Sequence, residues 1–351
     1  MLVAFCLLAE AQALLGVGPS TRYPARPRMG LSFPSVGTVP DLQMSRDRIV
    51  DLGVQAVRIS ENWKTREASE GVYSWSGLDI KIDTLRSSGA RIFLTIESDG
   101  PAWRCGVSNA RSCVFNDLPA FRAYVTALCR RYRGRIHAMQ FGNEAYSTYW
   151  YAGTASEFIA AANAFYDVVR AEMPGVPVVL AGFQTLVLHL FAVCDHGRAI
   201  PTRNASGTLL DAAGVAALCA DAAMRDIQSR FTAITARARY NLVDIHFYDN
   251  MEYWGLYMQT LRALLPGKLT VATELGCPNK RYESLADTFH ADRVGRLLAT
   301  ARSLGVLEAY YFKLVEYPSS EDAEHEKSGL LGYPELDAKP AYDSIRAFNA
   351  R

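Results

Sequence analysis

Ile136-His-Ala-Met-Gln-Phe-Gly-Asn-Glu-Ala145 lies between two stretches of helical spacing, Leu118 to Tyr132 and Ala155 to Glu172. It opens as a short, largely apolar run of strand length that stops at Gly142, and a carboxylate follows at once in Asn143-Glu144. A buried strand between amphipathic helices is the repeating unit of a parallel sheet, because returning the chain to start the next parallel strand takes a helical crossover. The unit recurs. Further strands are predicted over Met29 to Phe33, Ala56 to Ser60, Arg91 to Ile96, Val178 to Ala181, Val243 to Phe247, Leu269 to Thr273 and Ala309 to Lys313. Further helices are predicted over Ser45 to Leu52, Leu78 to Ser87, Ala212 to Ala238, Leu256 to Leu265, Ala286 to Leu304 and Ala341 to Asn349. Eight strands that each lead into a helix predict an α/β fold, the (β/α)8 TIM barrel. The competing doubly wound sheet usually shows Gly-x-Gly-x-x-Gly after its first strand, whereas the turn here reads Pro34-Ser-Val-Gly-Thr-Val-Pro40.

No low-complexity linker or composition break divides the 351 residues, so residues 21–351 read as a single catalytic domain behind a leader over 1–20. The longest insertion, around 183–212, falls between the fifth and sixth strands, where it would overhang the catalytic face. Met1 to Gly16 is almost wholly apolar and holds two Ala-x-Ala-like sites, which reads as the end of a secretion signal and predicts a secreted or periplasmic protein. No Lys or Arg precedes that run, and the plainer reading is a frayed amphipathic helix. It falls short of the roughly 20 residues of a membrane span, and no later segment reaches that length.

Of the seven cysteines, Cys105 with Cys113 and Cys194 with Cys219 each bracket a polar stretch that a disulfide would close. Cys6 and Cys129 read as unpaired, Cys277 is open, and Asn204-Ala-Ser206 is a glycosylation sequon in a secreted eukaryotic chain. The formal net charge of +1 supplies no electrostatic footprint for nucleic acid or an anionic membrane, so a neutral or weakly charged substrate fits better. The six histidines are scattered, no Cys-x-x-Cys occurs and no His-x-His follows the first strand, so neither a metal nor another cofactor is expected.

In such barrels the site is assembled at the C-terminal ends of the strands. Those ends carry Arg58 and then Glu61-Asn62-Trp63 on the second strand, Glu97, Asp99 and Trp103 on the third, and Asn143-Glu144 on the fourth. They carry His246 and Tyr248 on the sixth, Glu274 on the seventh, and Phe312, Lys313 and Glu316 on the eighth. Two carboxylates anchored at strand ends can divide acid and nucleophile duties across a glycosidic bond. Aromatic clusters follow two of these ends, Tyr146, Tyr149, Trp150 and Tyr151 in one and Tyr253, Trp254 and Tyr257 in the other. On catalytic-face loops they would stack on the C–H faces of a pyranose, while Trp75 reads as core.

Glu70-Gly-Val-Tyr-Ser-Trp75 with Leu78-Asp79, Asn143-Glu144, Asp244-Ile-His-Phe-Tyr248 and Glu274, in that order, resemble the retaining glycoside hydrolases of clan A over most of residues 29–348. The resemblance implies hydrolysis of β-glycosidic bonds in an oligo- or polysaccharide by double displacement. Glu144 would be the acid/base, Glu274 the nucleophile, Asn143 a donor to the hydroxyl beside the reacting carbon, and Tyr248 a hydrogen-bond partner of Glu274. Arg58 would be the cation that keeps Glu274 ionised, and His246 would line the subsite or tune a glutamate. Trp63, Trp103, Trp150 and Trp254 complete the expected contacts. The chain departs from the pattern at Ala145, where many members have Pro, and at Tyr310-Tyr-Phe-Lys313, where many have Trp; Phe312 would substitute, and Lys313 would bring a charge that suits an acidic or decorated sugar. A sugar-binding pseudoenzyme and a transglycosylase are the alternatives.

Overall fold

The computed structural model describes residues 29–33, 39–204, 206–248, 250–280, 283–316 and 325–351. The leader, Cys6, most of the first turn and the middle residue of the sequon lie outside them. Eight parallel strands close a barrel: β1 (Gly30–Ser32), β2 (Ala56–Asn62), β3 (Arg91–Glu97), β4 (Ala138–Phe141), β5 (Val178–Val179), β6 (Leu242–Phe247), β7 (Leu269–Leu275) and β8 (Ala309–Tyr311). Closure runs through β1 pairing with both β2 and β8. The fifth position is shorter than its apolar run suggests and is completed by a two-residue continuation, Phe183–Gln184, that also pairs with β6. Around the barrel stand α1 (Val39–Asp51), α2 (Ser76–Arg86), α3 (Leu118–Tyr132), α4 (Ala155–Glu172), α5 (Ala222–Arg237), α6 (Trp254–Leu264), α7 (Asp287–Ser303) and α8 (Pro340–Asn349).

Alternation along each strand divides the core in two. Outward residues such as Val57, Ile59, Ile92, Leu94 and Met139 pack beneath the helices, while Phe93, Val179, Leu242, Val271 and Tyr310 fill the barrel's lower interior. Gly30 makes room for that filling, since a Cβ there would stand 2.5 Å from the Tyr310 ring. Below it, Glu308 accepts from Tyr310 Oη at 2.6 Å and from Arg91 at 2.6 Å, which closes the bottom with a bonded charge. The candidate residues lie at the other end, where the strands finish.

The predicted helix Ala212 to Ala238 is two helices, Ala212–Ala220 and α5. Asp221 breaks it by accepting from the amides of Ala223 and Met224, an N-cap that ends one helix and starts the next. The Cys105–Cys113 stretch is a hairpin, Cys105–Ser108 against Cys113–Phe115, closed by a disulfide. A second disulfide joins Cys194 to Cys219, and Cys129 and Cys277 are free and buried. Two disulfides are compatible with an oxidising compartment, and among the described residues no helix is long and apolar enough to cross a membrane.

Candidate active site

Arg58 lies one strand-layer above the apolar plug, wholly buried, and its guanidinium joins four strands. Nε donates to Thr95 Oγ1 at 3.0 Å, Nη1 to Glu274 Oε1 at 2.5 Å, and Nη2 to Gln140 Oε1 at 3.0 Å and Asn143 Oδ1 at 3.1 Å. The last bond fixes the Asn143 carbonyl toward Arg58, so its amide N–H donors are the end offered to the cleft. Gln140 is in turn held through Nε2 by Asp244 at 2.7 Å and Leu180 O at 2.9 Å.

Local irregularities bring the glutamates together. The register of β6 against β7 shifts between Asp244 and His246, so His246 stands opposite Glu274. Such a bulge lets consecutive residues face one side of a sheet, and Thr273 and Glu274 both reach the interior groups. On the opposite wall Gly142 and Glu144 have φ of 74° and 46°, left-handed values that turn Asn143 and Glu144 inward after β4 ends. A Cβ on Gly142 would also sit 2.7 Å from the Phe158 ring, so only glycine serves.

His246 bridges the pair. Its Nδ1 is 2.7 Å from Glu144 Oε1 and 3.5 Å from Glu274 Oε2, and its Nε2 is 3.3 Å from Asp244 Oδ2. One oxygen from each glutamate and one His246 nitrogen all lie within 4.8 Å of one another. Tyr248 Oη donates to Glu274 Oε2 at 2.6 Å, and Gln184 Nε2 donates to Glu144 Oε2 at 2.9 Å.

The two carboxyls are pushed in opposite directions. Burial raises Glu144 above the usual carboxylate range; hydrogen bonds from His246 and Gln184 offset this only in part, and the Glu274 charge adds to it. Burial acts on Glu274 in the same sense, but the charges of His246 and Arg58 with hydrogen bonds from Tyr248 and Arg58 outweigh it and hold that group below the ordinary value. Burial would also discharge His246, yet the Glu274 and Asp244 carboxylates raise it to about 10, so the ring is an imidazolium at neutral pH. Glu144, His246 and Glu274 together are a geometry that can hold a cation, but an imidazolium at His246 has no lone pair to give and, with Arg58, already supplies positive charge there.

The structure thus gathers Arg58, Asn143, Glu144, His246, Tyr248 and Glu274. Phe312 packs edge-on against Tyr248, with ring centroids 5.9 Å apart, and Lys313, buried, holds Nζ 5.3 Å from the Phe312 ring. Two of the expected tryptophans go elsewhere. Trp63 is fully buried against Phe115, Phe121 and Tyr124 with its indole bonded to Glu67, and Trp254 is fully buried against Phe247. Neither presents a face to a ligand. Trp103 is exposed and Trp150 half-buried, with the Arg104 and Arg111 guanidinium groups over their rings. Of the other strand-end carboxylates, Glu61 pairs with Arg66, Asp99 with Lys64 and Glu316 with Lys327 and Lys339, while burial raises Glu97 above its ordinary value. Sequence reasoning passed over Thr95, Gln140, Asp244 and Gln184; polar residues at inward positions of apolar strands would have revealed the first three.

No protein-family model matches the chain. The structure is similar to an exo-β-1,4-mannosidase from Opitutaceae bacterium strain TAV5 (TM-score 0.62, 14% identity, 92% of this chain and 59% of that one). It is similar to a family 39 glycoside hydrolase from Bacteroides cellulosilyticus WH2 (TM-score 0.63, 13% identity, 93% and 64%). A third similar structure is a GH5_18 variant from Streptomyces cattleya in complex with Manβ1-4GlcNAc (TM-score 0.65, 13% identity, 93% and 81%). The fold is that of known glycoside hydrolases. The chain spans less than two thirds of the length of the first two.

Gly182 supplies a test of the site's tight assembly. A Cβ there would lie 2.0 Å from His246 Nε2, so Gly182→Ala must displace the imidazolium from both glutamates. The expected loss is about 100-fold in kcat/KM, the effect of a misplacement near 1 Å, while Gly175→Ala, which meets nothing within 4 Å, leaves the rate unchanged. Steady-state kinetics on the two purified variants check this, and equal rates would mean that His246 does not order the site.

Proposed function

We propose that the protein is a retaining glycoside hydrolase acting on β-glycosidic bonds of an oligo- or polysaccharide. The carrying observation is the pair Glu144 and Glu274, with oxygens within 4.8 Å and acidities displaced in opposite senses. Carboxyls of retaining enzymes stand about 5 to 5.5 Å apart and those of inverting enzymes about 6.5 to 9.5 Å, the space for a water. One oxygen of each lying within 4.8 Å of the other supports the shorter spacing.

In the first step Glu274 attacks the anomeric carbon, the bond to the leaving oxygen breaks, and that oxygen takes the Glu144 proton. In the second, water gives a proton to the Glu144 carboxylate as its oxygen replaces Glu274 on the same carbon. Arg58 and Tyr248 keep Glu274 anionic and oriented, and Asn143 offers a donor to the neighbouring sugar hydroxyl, a contact that strengthens as charge develops on the ring. Similar folds that act on or bind mannosides put β-mannosides first among substrates to try, followed by β-glucosides and β-galactosides. Hydrolysis of one class that collapses in Glu144→Gln and Glu274→Gln supports the reading; binding without turnover in the wild type would instead favour a pseudoenzyme.

The displaced acidities set the pH dependence. The first step needs Glu274 ionised and Glu144 protonated in the free enzyme, so kcat/KM should follow a bell. Its acid limb should lie below the ordinary glutamate value, where the lowered Glu274 takes its proton, and its alkaline limb above that value, where the raised Glu144 loses one. A pH series of kcat/KM checks both limbs, and Arg58→Lys should shift the acid limb upward.

A further inference from the structure

Four to eight residues beyond Glu144, the loop after β4 meets the disulfide-closed hairpin that follows β3. Ser147 N donates to Glu144 O, and Trp150 N and Tyr151 N donate to Ser147 O, so the loop winds tightly away from the acid/base. Asn109 Nδ2 from the hairpin donates to Thr148 O at 2.9 Å and Tyr149 O at 3.3 Å, and Ser112 Oγ accepts from Ala152 N at 2.8 Å. The Arg111 guanidinium lies over both aromatic rings, 4.4 Å from the Tyr149 centroid and 4.5 Å from that of Trp150, and bonds Tyr149 Oη at 2.5 Å. The rings meet at 87°, and Tyr149 remains 55% exposed. A large aromatic side chain held rigid from one face and open on the other has already given up its rotamer freedom, as a stacking platform requires. Both loops follow strand ends, so the platform stands on the catalytic face, on the acid/base side of the pair. That is the side of the departing group, because Glu144 must reach the leaving oxygen.

We propose that Arg111, Tyr149 and Trp150 form a leaving-group subsite that takes a second pyranose ring, with the Cys105–Cys113 hairpin as its support. This rests on the glycosidase reading above and adds to it which residues hold the sugar on the leaving side and fix the preference for it.

The test uses matched pairs, the glycosyl fluoride and the β-1,4-linked disaccharide of mannose, glucose, galactose and xylose, with wild type, Tyr149→Ala and Arg111→Ala. Neither side chain is in the core, so thermal melts should match the wild type. The ratio of kcat/KM for disaccharide over fluoride should fall about tenfold in each variant, the order of one lost stacking contact, with the change in KM rather than kcat. Equal losses on both members of a pair, or a wild type that hydrolyses a fluoride and refuses its disaccharide, would overturn the subsite while leaving the glycosidase reading intact. Failure of the wild type on every fluoride would overturn both.

Discussion

Glu274→Ala should lower kcat by on the order of 10⁴-fold or more, because a group that forms the covalent intermediate cannot be replaced by positioning alone. The same change rearranges the charges around it. Glu274 is the strongest attraction holding the His246 proton, and Arg58 bonds it directly. With the carboxylate gone, only Asp244 and the bond to Glu144 are left to hold the His246 proton against burial, so His246 should fall below its raised value of about 10. The imidazole resonances followed through a pH titration would report this independently of catalysis. Breaking a buried pair by removing one partner costs roughly 3–5 kcal/mol, and proton release by His246 should keep the loss nearer the lower end. A variant that loses activity while His246 titrates as before would mean that Glu274 does not govern the electrostatics of the site.

Glu144→Ala should show a different signature. General acid catalysis contributes about 10²–10⁴-fold, and its weight depends on how much help the leaving oxygen needs. Hydrolysis of a disaccharide or an alkyl glycoside should fall by the upper figure, whereas a dinitrophenyl glycoside, whose oxygen leaves without a proton, should form the intermediate at nearly the normal rate. Water then lacks its base, so turnover stalls. Added azide, which needs no base, should restore turnover and give the β-glycosyl azide. Equal losses on good and poor leaving groups, with no effect of azide, would remove Glu144 from the acid/base role.

The barrel was legible because each strand is a short β-branched or aromatic run bounded by a turn, and because the helices between them carry clear apolar spacing. The fifth strand was less so. Its ladder is broken near Gly182, where the chain must leave space for His246, and a run of valines and alanine gives no sign of that constraint. The helical spacing over Ala212 to Ala238 runs through Asp221 without a break, although its side chain ends one helix by capping the next. At the site, Glu144, Glu274, Arg58 and Tyr248 were legible from their places at strand ends. Trp63 and Trp254 shared those places and yet are buried, because position in a loop does not fix side-chain direction: Trp63 turns back into an aromatic cluster in a 3₁₀ turn, and Trp254 opens α6. The bulge that sets His246 opposite Glu274 leaves no mark in the residue types.

The central claim is that Glu274 forms a covalent bond to the sugar, and the most direct measurement is to trap it. A 2-deoxy-2-fluoro glycoside of the preferred sugar with a dinitrophenolate leaving group slows both steps and the second more, so the intermediate accumulates. The expected result is a mass increase equal to one fluorosugar on the intact protein, located by peptide sequencing at Glu274 in Val271-Ala-Thr-Glu-Leu-Gly276, and absent in Glu274→Gln. A label on another carboxylate, or turnover of the natural substrate that first releases the inverted anomer with no label formed, would contradict it.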